Sequence, residues 1–232
     1  MNKKYKLRTD LPSKKIGDSV LYQIEALINF GDVKKGDLGG FIEGEWNLSH
    51  LGNCWVYPGA MVYQKAMVSE DARMCGQSKA FGHAIVSGRS TMDGKAMIHH
   101  YAKIIGNAMA YGRAIICDNA VLSGFAMVFQ HAVIRGNSRV EGEARVHGHV
   151  RISGNAFIYG EAEIYDYVEI TDDVHVYGEA EVCGLIKLAG SIRAHKKAVI
   201  SGSFFISGDS TISGPDEIVM VTLFPEVTQD EI

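Results

Sequence analysis

Two residues able to move or steer a proton stand eighteen positions apart, His100 and Asp118. Each has a chemically useful neighbour at the same offset: His99 pairs with Cys117, and Tyr101 with Asn119. An imidazole that takes a proton beside a carboxylate that orients it is the arrangement general-base catalysis requires, and it also suits ligand binding. The candidate cluster is therefore His99, His100, Cys117 and Asp118. Its bland alternative is a surface turn at which these side chains are merely solvated.

A second set with the same spacing is cationic. Lys95, Arg113, His131 and His149 follow one another at intervals of eighteen, a ladder with the chemistry to meet phosphate or carboxylate. Glu143, Glu161 and Glu179 form a like-charge column, with Glu163 and Glu181 two residues along and Arg145 among them. This acidic patch suits a cation or a basic partner. No metal is expected there, because Ca²⁺ needs six to eight oxygens and a shaped loop. The chain has no phosphate-binding loop, dinucleotide fingerprint, nucleophile elbow or zinc spacing, so no cofactor is expected.

The spacing of eighteen comes from a repeat. From Asn53 to Met220 the chain divides into 28 hexads without insertion or deletion, beginning NCWVYP, GAMVYQ, KAMVSE. The fourth position is Val, Ile, Leu or Met in 25 of the 28, the second is Ala, Ser or Cys in 21, and the sixth is Gly in 18. Those 18 corners absorb most of the 26 glycines, which makes the glycine excess a structural period rather than a sign of flexibility.

Positions two and four share one face of an extended strand, and positions three and five share the other. Each hexad is thus a short strand with a small and a large inward residue, followed by a corner at positions six and one. Such a strand cannot bury its inner row alone, whereas coiling stacks it on its equivalent in the next turn. Three strands per coil give the period of eighteen and about nine coils. Ala132, Val150, Val168, Ile186 and Phe204 then form one inward column. The predicted fold is an all-β parallel β-helix over 53–220. Residues 1–52 are expected to cap its open edge, with a strand in 21–30, and 221–232 to form a C-terminal cap or tail.

A net charge of −4 and a pI near 6.1 argue against nucleic acid as partner. Four cysteines without a C-x-x-C pair read as thiols of a reducing compartment. The Lys-rich start lacks the apolar stretch of a signal peptide, and no apolar run approaches a membrane span, so the expected location is cytoplasmic, without membrane partners.

The segment GDLGGFIE, followed by NLSHLGNCWVY and x-A-x-V-x-G hexads, resembles the YdcK-like proteins of enterobacteria and their prophages. The pattern spans about 20–214. The resemblance implies a left-handed β-helix of the hexapeptide-transferase superfamily, and it supplies no catalytic set to carry over. It departs from that superfamily's acyltransferases in placing Gly two residues after the aliphatic position rather than one.

Outward positions divide along the chain. From Trp55 to Arg135, the 28 outward sites hold ten aliphatic or Met residues and five charges. From Arg139 to His195, the 20 sites hold nine charges. The apolar half, with Met61, Met67, Ile85, Met97, Met109, Ile115, Met127, Phe129 and Val133, is the expected oligomer or partner interface, in a dimer or trimer. The favoured function is a non-enzymatic oligomeric binding protein of phage or prophage type that docks or sequesters a host protein or a small nucleotide-like ligand. The alternative is a thioester-dependent acyltransferase with a His base between subunits. A polymer of end-to-end prisms is disfavoured by the capped ends.

Overall fold

Every third strand pairs with the next in parallel, in register and eighteen residues on, as the hexads require. Met67–Val68 pairs with Ile85–Val86, which pairs with Lys103–Ile104. The structure, a computed structural model, describes residues 3–214 and the backbone of 217–221. It is an all-β parallel solenoid of about 10 turns, one more than the hexad count suggests. The expected C-terminal cap lies outside the described residues, save for the backbone of Val221.

The turns enclose a triangular core with three outer faces. The first face begins at Trp55–Val56, the second at Met61–Val62 and the third at Met67–Val68. Residues at the second and fourth hexad positions fill the interior; Ala60, Val62, Ala66 and Val68 are all fully buried. The column from Ala132 to Phe204 lines one interior wall, its exposure rising only from 0% to 5% towards the C-terminal end. Most strands are two residues long because each corner re-aims the backbone. Towards the C-terminus the pairing runs through the corners, giving continuous strands Glu181–His195 and Val199–Ser213.

The N-terminal region adds β1 (Tyr5–Arg8), β2 (Lys14–Ile16), β3 (Ser19–Ala26) and β4 (Leu38–Ile42). Both β1 and β2 pair antiparallel with β3, which in turn pairs antiparallel with β4. The strand expected over 21–30 ends at Ala26, because Phe30 turns back to bridge Val33. Stacking starts upstream of the first hexad. Phe41 and Ile42 pair in parallel with Met61 and Val62, and Leu48 bridges Val68. These steps are twenty residues rather than eighteen, which hides them from a search for hexads.

Candidate binding groove

The corners set the site's edges. Eight non-glycine corners adopt positive φ: Gln64, Glu70, His100, Asp118, Gln130, Asp166, Asp172 and Lys196. At five of them the side chain accepts a hydrogen bond from the backbone N–H of the glycine corner one coil on. Gln64 receives Gly82 at 2.8 Å, Asp118 receives Gly136 at 3.1 Å and Gln130 receives Gly148 at 2.7 Å. Asp166 does the same with Gly184 at 3.2 Å, and Asp172 with Gly190 at 3.0 Å. The donating corner is crowded by the coil beyond it: a Cβ on Gly148 would stand 2.7 Å from the backbone nitrogen of Asp166. These side chains therefore staple successive coils.

The candidate proton-handling cluster lies within this pattern. The Nδ1 of His100 is 2.9 Å from the Asp118 carboxylate, with the two side chains 59% and 42% exposed. The hydrogen bond from Gly136 N–H holds the Asp118 carboxyl below its usual range, against partial desolvation and with help from His100. His99 stacks on Phe81 with ring centres 4.8 Å apart, and meets His100 edge-on at 4.5 Å. Burial lowers the His99 pKa, so its ring is neutral at pH 7. Burial also pushes the Cys117 thiol up to about 11, leaving it protonated and a poor nucleophile. Tyr101 stacks on His83 at 4.8 Å, and Asn119 begins an amide ladder through Asn137 and Asn155. The sequence spacing thus brings the four residues together, with Asp118 engaged as a coil staple.

The acidic patch occupies the first face and its edge. Glu163 pairs with His147 at 3.2 Å, Glu179 with Lys197 at 3.2 Å, and Glu181 accepts from the Tyr165 hydroxyl. Glu143, Arg145, Glu161 and Glu163 line a hollow of about 220 Å³. Among the described residues, no group of three or more His, Cys, Asp or Glu is placed to hold a metal ion.

The expected apolar interface is divided among three faces. Met109, Met127 and Phe129 lie on the first, Met61, Met97, Ile115 and Val133 on the second, and Met67 and Ile85 on the third. The apolar half of the sequence is a segment of the prism's length, and a three-sided coil spreads any such segment around the axis. The N-terminal region covers part of the first coils. Asp32 bonds Tyr57 and Arg73 at 2.7 Å each, and the Trp46 indole donates to Gln64 O at 2.7 Å.

On the second face the apolar residues meet the cationic ladder. Met61, Lys79, Met97, Ile115 and Val133 are successive register partners down the middle of that face. Beside them runs the corner column Gln77, Lys95, Arg113 and His131. Lys14, from β2, rests over the Phe41 ring at 4.0 Å and closes one end. All of these but Val133 and Phe41 line an open groove of about 690 Å³ with a basic edge and a largely apolar floor. The ladder continues as His131 stacked on His149 at 4.9 Å, which stacks on Tyr167 at 4.9 Å. Here a second hollow of about 460 Å³ also takes in Val133, Arg151 and Glu169.

Lys95, Arg113 and His131 were legible as a ladder, and Met61, Met97 and Ile115 as apolar surface. That they form one groove follows only when both columns are laid on the same face. Lys79 needed that same step, and Lys14, outside the repeat, belongs to the Lys-rich start, which by sequence reads as a solvated arm. No protein-family model matches the chain, and no curated protein matches it at a significant level. No helix among the described residues is long and apolar enough to cross a membrane.

Proposed function

We propose that the chain is a non-catalytic binding protein that works as an oligomer and takes up its partner on the outer surface of the solenoid. The observation that carries this reading is the second-face groove, where a basic edge and an apolar floor run side by side. Such a surface suits retention better than turnover, since its polar groups are spread along an edge rather than converging on one reacting atom. The YdcK-like resemblance of the sequence is what suggests a partner in a bacterial host, and with it a phage or prophage role such as blocking a defence system. The test is capture from host extract by the immobilised chain and by a Lys95→Glu, Arg113→Glu variant. A host factor held by the first and lost by the second is expected; equal capture by both refutes the groove as the binding surface.

A second reading, the hexapeptide-type acyltransferase, is favoured by His99. Its ring is kept neutral by burial, as a base requires, and its Nδ1 is buried without a partner. Calorimetric titration with acetyl-CoA separates the two readings: heat of binding that disappears in His99→Ala supports the enzyme.

A further inference from the structure

Charge in the groove is uncompensated. Lys14, Lys79, Lys95 and Arg113 all line it, together with His131, and no carboxylate does. The ion pairs of the described residues engage Lys3, Lys6, Arg8, Arg73, Arg139, Lys187 and Lys197, and none of these four cations. Lys95 and Arg113 occupy equivalent corners one coil apart, a step of about 4.8 Å. Like charges at that distance repel by about 1 kcal/mol even in water, and more beside an apolar wall. A folded surface that keeps such charges together has a standing preference for an anion bridging them.

The spacing restricts the anion. Carboxylates on alternate residues of an extended peptide stand about 7 Å apart, wider than the coil step. Directly linked phosphates present several charged oxygens within a few ångströms, so cations from two neighbouring coils can act on one group together. Arg113 adds a planar fork suited to two phosphate oxygens at once. The floor of Met61, Met97 and Ile115 is half-buried, with Met97 two residues past Lys95 in the same coil and one register step from Lys79, and it offers dry surface to an uncharged ring next to that group. A volume of about 690 Å³ suits a small organic ligand.

We propose that the second-face groove binds an organic polyphosphate of the nucleoside di- or triphosphate class, with phosphates on the Lys95–Arg113 edge and the ring on the Met97–Ile115 floor. The proposal rests on the reading of the chain as a binding protein and assigns that groove its ligand.

The test is calorimetric titration of the full chain with ATP, inorganic tripolyphosphate, adenosine and a glutamate-rich peptide at physiological salt. ATP is expected to bind once per chain, tripolyphosphate more weakly and adenosine not at all. Lys95→Glu with Arg113→Glu should weaken ATP at least about a hundredfold, tenfold for each reversed charge. Lys65→Glu with Lys103→Glu, on the third face and its edge, makes the same change in net charge and should leave ATP affinity unaltered. Met97→Asp should weaken ATP more than tripolyphosphate. If the glutamate reversal unfolds the chain, Lys95→Gln with Arg113→Gln asks the same question. No ATP binding, equal loss in both charge-reversed pairs, or tighter binding of the acidic peptide overturns the proposal. Absent ATP binding with host-factor capture that still depends on Lys95 and Arg113 refutes the ligand class alone. Absence of both removes the groove as well.

Discussion

Asp118 shows how one carboxylate can look catalytic and be architectural. It stands at a positive-φ corner, receives Gly136 N–H and faces His100. Gln64, Gln130, Asp166 and Asp172 do the same work without a histidine at the position one coil before them, so the carboxylate at 118 is explained by the corner alone. Its ionised form is the one the fold favours, so its folded pKa lies below the unfolded value of about 3.9. The stability it adds is complete above that value and is lost as pH falls through the lowered folded pKa. Asp118→Ala is therefore expected to lose about 1 kcal/mol at pH 7, limited by solvent exposure. Urea titrations of native and variant chains should converge as pH falls below the folded pKa, once the carboxylate is protonated in both states. A gap that persists there contradicts the ionised staple.

At the scale of elements, the N-terminal strands are fixed to the solenoid by buried polar groups. Lys4 is buried, and its ammonium donates to Cys54 O at 2.9 Å and Gly52 O at 3.2 Å, with the Cys54 sulfur at 3.2 Å. Burial lowers its pKa, while the neighbouring Cys54 raises it in part. Tyr5 is also buried, and its hydroxyl donates to Leu48 O at 2.7 Å. Lys4→Ala leaves two carbonyls without their donor and is expected to destabilise by about 2 kcal/mol. Hydrogen exchange should then rise in β1 and the first coil while coils beyond Arg139 keep their protection, because solenoid turns contact only their neighbours. Uniform loss of protection along the chain would contradict that anchoring role. The twenty-residue step at Phe41 and Leu48 belongs to the same scale. It lets a cap of different register meet the first coil, and it explains why the repeat fades before the stacking does.

For the molecule as a whole, ten turns at about 4.8 Å make a stiff prism roughly 48 Å long. Half-buried Met and aliphatic residues on all three faces leave more than one surface open to a second copy. Tyr167, Leu185 and Phe205 add an apolar hollow of about 520 Å³ near the C-terminal end of the second face. Self-association on any of these surfaces is part of the proposed function. Light scattering coupled to size exclusion is expected to give a multiple of 25.3 kDa. A monomer mass at every concentration refutes the oligomer.

The amino-acid sequence by itself determined the period, the inward columns and the stacking of residues eighteen apart, because a hexad leaves an inner row with only one way to be buried. It placed His100 over Asp118 and built the Lys95–His149 ladder for the same reason. The same period also spreads the apolar half over three faces and sets Met61, Met97 and Ile115 beside Lys95 and Arg113. Only the tertiary structure showed that these two columns bound an open groove of about 690 Å³. It also brought Lys14 to the groove, since a hairpin arm returns through pairings whose register is not periodic. Nor could spacing alone assign Asp118: the role depends on where a backbone N–H points, and that direction is set by corner geometry.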